Sequence, residues 1–183
     1  MIFINYVIVQ NSNSAFTSKQ KVGYTRNNMA GLQQQYTKRL HKEFVQLQKS
    51  QPCGIQVTLV SDNLHMWRAV IPGPEESDYS GGSFTACVYI PDNYPLEPPT
   101  INFDTDNIPY HLNVDQKHGQ VCLGFLSKDD WSPASRSMEQ IINALFSLLG
   151  RPEPENSMDH ELLNEYTHFR GNYVRKAKES VKR

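Results

Sequence analysis

A chain of 183 residues is long enough for one domain with a substantial apolar core and barely long enough for two small ones. Its 38% hydrophobic and 20% charged residues are those of an ordinary globular protein, not of a disordered or fibrous one. Eighteen basic against 19 acidic residues give a net charge of −1, which offers no basic footprint for nucleic acid. No apolar run approaches the roughly 20 residues that cross a bilayer, so neither nucleic acid nor membrane is an expected partner.

The opening MIFINYVIV stretch is apolar, but it lacks a basic start and a small-residue cleavage site, so it reads as neither signal peptide nor anchor. Residues 1–28 carry Lys19, Lys21 and Arg26 and no acid, leaving 15 basic against 19 acidic residues in 29–183. The polar run Gln10–Gln20 has the composition of a disordered leader. Residues 1–28 are therefore expected to be a dispensable extension and 29–183 the folded domain.

From Leu32 to Gln48, Leu32, Tyr36, Leu40, Phe44 and Leu47 recur every three to four residues and predict an amphipathic helix, stopped by Pro52–Gly54. Strand-like segments follow at Ile55–Val60, Trp67–Ile71, Ser83–Ile90 and Ile101–Asp104. In the third, Phe84, Ala86, Val88 and Ile90 alternate with Thr85, Cys87 and Tyr89, which predicts one buried face. Turn-length connections imply an antiparallel meander. A long stretch without periodicity, Asn107 to Ser135, is of the kind that carries function. A second helix starts near Ser137, where Ser137 and Gln140 have capping-box spacing, and its apolar face is wide enough for the deep core. Gly150 and Pro152 end it. Leu162, Leu163, Tyr166 and Phe169 mark a third helix, and Arg170–Arg183, with six basic residues and one acid, reads as a solvated terminal helix. Helix, four strands, long loop and three helices make an α+β fold.

Three widely spaced cysteines without a CxxC pair fit free thiols in a reducing compartment, the cytoplasm or nucleus. Cys87 lies mid-strand and Cys53 at a turn, where a small incidental side chain is the simpler account. Cys122 differs: it lies in the long loop, in HGQVCLGFL, where reactive groups are presented. Spacing alone leaves it a nucleophile or a structural thiol. A cysteine protease would need His111 or His118 as base, and no protease-like sequence surrounds Cys122. His111, His118 and Cys122 lack a fourth ligand for a metal, and none is expected.

Six pieces in order are more specific: Trp67 with Ile71-Pro72-Gly73-Pro74, Tyr79-Ser80-Gly81-Gly82-Ser83-Phe84, Tyr94-Pro95-Leu96-Glu97-Pro98-Pro99, His111-Leu112-Asn113, Gly119-Gln120-Val121-Cys122-Leu123 and Trp131-Ser132-Pro133-Ala134. Together they resemble the ubiquitin-conjugating enzymes over about Leu32–Arg183. Lys38-Arg39-Leu40-His41-Lys42-Glu43 and Pro152-Glu153-Pro154-Glu155 look most like the branch that passes ubiquitin to a cysteine of HECT or RING-between-RING ligases.

The resemblance implies a monomeric carrier that accepts ubiquitin on Cys122 from an activating enzyme, which consumes the ATP, and hands it to a ligase cysteine or a substrate lysine. No cofactor is expected on the carrier itself. By the same resemblance, Asn113 stabilises the oxyanion or braces the loop, Leu96, Pro133 and Ala134 form the ligase-binding patch, and Lys38, Arg39 and Lys42 dock the activating enzyme. Gly124 and Asn156 fall at gate positions where lysine-transferring members carry acids. The sequence also departs from the family. Leu112 replaces a proline, one extra residue separates Asn113 from Cys122 and is expected to displace the asparagine, Leu96 stands where this branch has an aromatic, and Ser132 is of the RING-preferring type. A degenerate ubiquitin- or ligase-binding module, or a carrier of another ubiquitin-like modifier, are the alternatives.

Overall fold

The computed structural model describes residues 26–134 and 136–181. Helix α1 spans Arg26–Ser50, so residues 26–28, assigned above to the extension, belong to the first helix, while residues 1–25 lie outside the described residues. Leu40 and Leu47 are buried, but Leu32 is exposed. At Leu32 the apolar stripe outruns the surface it packs on.

Strands β1 (Gln56–Val60), β2 (Asn63–Pro72), β3 (Ser83–Tyr89) and β4 (Thr100–Phe103) form one antiparallel sheet in the order β1-β2-β3-β4. β2 starts four residues earlier than its apolar pattern predicts. Ser61 and Asp62 both take positive φ, 51° and 56°, which makes the two-residue turn whose twist suits a tight hairpin. Without glycine there, the sequence held only the turn-favouring Ser61-Asp62-Asn63 and no hairpin dipeptide to fix the strand's start.

Trp67, Ala69 and Ile71 of β2, Phe84, Ala86 and Val88 of β3, and Ile101 and Phe103 of β4 belong to one buried cluster. Their period of two puts them on one face of the sheet. Against it lies α2 (Met138–Gly150), which contributes Met138, Ile141, Ile142, Leu145, Leu148 and Leu149 to the same cluster. The capping box at its start is present: Ser137 Oγ accepts from Gln140 N, and Ser137 N donates to Gln140 Oε1.

Asp159 caps α3 (His160–His168) by accepting from the N–H groups of Glu161 and Leu162. Of the apolar set read for this helix, Leu162 is buried but Phe169 is exposed at the junction with α4 (Arg170–Glu179). Nor is α4 simply solvated. Tyr173 and Ala177 are buried, so one stripe of this basic helix enters the core. That stripe matters below.

Candidate active site

The loop from Asn107 to Ser137 turns irregular because its backbone bonds go to particular strand edges. Val121 N donates to Ile101 O at 2.9 Å, and Cys122 N donates to Asn113 O, also at 2.9 Å. Cys122 is thereby fixed between β4 and the His111–Val114 segment, half-buried, in a cleft that Leu123, Gly124, Leu126, Ser127, Asp130 and Asn156 also line. Gly119 permits this approach: it has φ +71°, and a Cβ there would stand 2.3 Å from Phe103 O.

Asn113 is completely buried, and its amide is fully used. Its Nδ2 donates to Glu153 O at 2.7 Å and to Asn156 O at 2.9 Å, while its Oδ1 accepts from Glu153 N at 2.9 Å. Both amide hydrogens hold the 153–156 segment, so of the two roles left open above, this conformation serves loop bracing. Asn113 stands in backbone contact with the thiol residue, its O accepting from Cys122 N. Between the two, the chain turns from Asp115 to Gly119 with Lys117 and His118 exposed: Asp115 Oδ1 accepts from Lys117 N and His118 N, and Gly119 N donates to Asp115 O.

His111 and Leu112 brace the same loop. His111 is buried. Its Nδ1 lies 3.1 Å from the Asn113 N–H, and its Nε2 lies 2.9 Å from Leu148 O. That pair of partners assigns the neutral tautomer with hydrogen on Nε2. Burial lowers its pKa to about 4. Both ring nitrogens are committed, so His111 does not serve Cys122 as a base, and His118 is exposed and bound to Asp115. Among the described residues no group of three or more His, Cys, Asp or Glu is arranged to hold a metal ion. Leu112 N donates to the Tyr173 hydroxyl at 3.3 Å, a bond that proline could not make. The buried stripe of α4 thus supports the loop where a fixed φ is missing.

Gly124 and Asn156 are one feature, although the sequence presents them 32 positions apart. A Cβ at Gly124 would lie 2.7 Å from Asn156 Nδ2, so only glycine lets this amide lie across the cleft. Asn156 Nδ2 donates in turn to Glu153 Oε2 at 2.7 Å. Burial, and after it the negative charge of Glu153, push the Cys122 thiol above its ordinary range. Near neutral pH the free thiol therefore rests protonated.

The family model for "Ubiquitin-conjugating enzyme" matches residues 39–181. The chain belongs to the ubiquitin-conjugating enzymes. Ubiquitin-conjugating enzyme E2 1 of Schizosaccharomyces pombe is 38% identical over 143 residues, 78% of this chain, and the match spans 64% of that relative's length. Ubiquitin conjugating enzyme E2 B of Dictyostelium discoideum is 34% identical over 80% of this chain and 95% of its own. The E2 domain of a Toxoplasma gondii ubiquitin conjugating enzyme superposes with a TM-score of 0.70 at 30% identity, covering 79% of this chain and 94% of that domain. The family's chemistry is ubiquitin transfer through a cysteine thioester, and its partners are ubiquitin, an activating enzyme and a ligase.

In this ubiquitin-conjugating enzyme the two loops named for ligase binding meet at one end. Trp131 Nε1 donates to Pro95 O at 2.8 Å and ties the loop of Pro133 and Ala134 to that of Leu96. Leu96 and Ala134 are exposed and Pro133 is half-buried. On α1, Lys38 and Lys42 are exposed, but Arg39 is not free. Its guanidinium donates to Glu43 at 2.8 Å, to Pro133 O at 3.1 Å and to Arg136 O at 2.8 Å. Glu43 Oε2 also accepts from the Tyr94 hydroxyl and from Met138 N at the start of α2. Arg39, read from sequence with its basic neighbours, is the tether of the Pro133 loop. Sequence reading missed three contributors, Glu153, Tyr173 and Glu43. Two signals were available: the acid within Pro152-Glu153-Pro154-Glu155, three residues before Asn156, and the i,i+4 spacing of Arg39 and Glu43 on α1.

Proposed function

We propose that Cys122 carries ubiquitin and that a ligase cysteine is its preferred acceptor. The observation that carries the reading is a half-exposed thiol, anchored through its own backbone N–H, in a cleft where, among the described residues, no histidine stands ready as a base. In charging, the Cys122 thiolate attacks the carbonyl carbon of the thioester on the activating enzyme. The new C–S bond forms, the old one breaks, and the activating enzyme's cysteine leaves as thiolate. ATP is consumed in making that first thioester, and this chain needs none. In discharge the same exchange runs toward the acceptor, with Cys122 leaving. With no histidine among the described residues lining the cleft, the thioester lacks the base that most often activates water.

The acceptor preference follows from Asn156. An amide takes no proton, and its Nδ2 is already bound to Glu153. A lysine amine, with an ordinary pKa of about 10.4, needs deprotonation before it attacks; a thiol, at about 8.5, needs far less help. This supports HECT or RING-between-RING ligases as partners, docked on Leu96, Pro133 and Ala134, with Lys38 and Lys42 meeting the activating enzyme.

Thioester charging tests the proposal. Protein incubated with ubiquitin, activating enzyme and ATP is expected to give a reductant-sensitive band one ubiquitin heavier, absent in Cys122→Ala. Single-turnover discharge is expected to be faster to free cysteine than to free lysine. Equal rates would refute the preference, and a folded protein that never charges would be a binding module.

A further inference from the structure

We propose that Glu153 is a positioning and specificity residue of this site: its carboxylate holds the Asn156 amide across Gly124 and stations a negative charge beside Cys122 that disfavours anionic nucleophiles. The proposal rests on Cys122 being the acyl carrier.

The geometry has two independent parts. The backbone of Glu153 is clamped by Asn113, which accepts from its N–H and donates to its C=O. The side chain is therefore free to do something else, and it does: Glu153 Oε2 accepts from Asn156 Nδ2 at 2.7 Å, and that same Nδ2 occupies the space a Cβ on Gly124 would need. The amide over the cleft is thus aimed by a carboxylate rather than left to rotate. The charge of that carboxylate also reaches the thiol, where it adds to burial in disfavouring the thiolate.

Other groups facing the cleft do not cancel it. Asp130 lines the cleft with a carboxylate that accepts from Ser127 Oγ at 2.8 Å. His111 beneath is buried with both nitrogens bonded and is neutral at pH 7. Among the described residues no lysine or arginine lines the cleft. The charged groups facing the cleft, Glu153 and Asp130, are both acidic, so a small anionic thiol arriving from solution meets repulsion. A ligase cysteine held in place by docking overcomes that repulsion through proximity. Glu153 in this way protects the charged state from stray thiols while leaving directed transfer open.

The test uses the full chain and compares Glu153→Gln and Glu153→Asp with the unaltered protein. Glutamine keeps an acceptor for Asn156 but removes the charge; aspartate keeps the charge. Alkylation of uncharged protein by iodoacetamide, read at Cys122 by mass spectrometry, is expected to shift its pH midpoint down by about half a unit in Glu153→Gln. At pH 7.5 the rate then rises about threefold, a shift of about half a unit being about a factor of three. Glu153→Asp is expected to keep the original profile. After charging, Glu153→Gln is expected to lose ubiquitin to mercaptoethanesulfonate, whose attacking thiolate carries two negative charges, about two- to threefold faster, with discharge to mercaptoethanol, whose thiolate carries one, changed less. An alkylation profile unmoved in Glu153→Gln, or shifted equally in Glu153→Asp, overturns the proposal. Protein that never charges but shows the alkylation shift overturns the carrier reading and leaves the placement of Glu153 standing.

Discussion

Two irregular regions of this molecule are held in opposite ways. The His111–Cys122 loop is fixed from inside: Asn113, His111 and Tyr173 are buried side chains whose polar atoms end on backbone groups. The Leu96 and Pro133 loops are fixed from outside, by a half-exposed arginine and an indole N–H, and turn their apolar tips to solvent. The contrast is one of dielectric. A buried donor or acceptor left without its partner costs its full desolvation, whereas an exposed one is resolvated by water. The first region can therefore be precise at the expense of fragility, and the second can present surface without threatening the fold.

Asn113→Ala should break this comparison if anything does. It removes three hydrogen bonds and leaves Glu153 N and Asn156 O without partners, Glu153 O keeping its bond from Asn156 N, for a loss of about 4 kcal/mol. Urea unfolding would measure it. A loss under about 1 kcal/mol, no larger than for an exposed contact, would mean that the loop is not held as described.

Acid should act next. The folded pKa of His111 is about 4, below the ordinary value of about 6.5, because burial disfavours the imidazolium. Between those values the unfolded chain binds the proton and the folded chain does not. Stability from this group is therefore intact above about pH 6.5, falls as pH drops toward 4, and levels off below, for a total of about 3 kcal/mol. Unfolding free energies taken from pH 7.5 to 4.5 should show this slope, and His111→Gln should lack that part of it. An unchanged slope in the variant would place the titration elsewhere.

A smaller effect sharpens the gate. Gly124→Ala forces the new Cβ against Asn156 Nδ2, so the amide must swing away, at about 1–2 kcal/mol. In Asn156→Ala the same glycine substitution should be nearly neutral. A double-mutant cycle with no coupling would show that the two residues are independent.

How much of this was legible in the sequence follows the same division. Period-two and period-3.6 patterns reveal burial, so β3 and the apolar face of α2 were readable, as was the Ser137–Gln140 cap, which is a local spacing. The family motifs placed Cys122 and Asn113. What stayed hidden depends on residues far apart meeting in space. Tyr173 sits 61 positions from the Leu112 N–H it accepts from, within a helix whose composition reads as solvated. Leu32 continues a helical stripe beyond the surface that the stripe packs on, which periodicity alone has no means of revealing. The Ser61-Asp62 turn uses a glycine-type conformation without glycine. Arg39 carries the same charge as Lys38 and Lys42, and only geometry distinguishes a planar fork that fits two carbonyls and a carboxylate from two solvated ammonium groups.

Arg39 also gives the finest test of the contrast between the two regions. If it is a tether rather than a docking group, Arg39→Ala should cost only about 1 kcal/mol, because water resolvates the freed carbonyls of Pro133 and Arg136. Charging by the activating enzyme should stay within about twofold of normal, while ligase-stimulated discharge should fall several-fold as the Pro133 loop loosens against Leu96. On the proposal that Lys38 and Lys42, both exposed on α1, meet the activating enzyme through charge, Lys38→Glu with Lys42→Glu should do the reverse, slowing charging and sparing discharge. Arg39→Lys separates the two explanations further. A lysine keeps the positive charge but not the fork, so it should restore charging if Arg39 acts by charge, and fail to restore ligase-stimulated discharge if Arg39 acts by holding the loop.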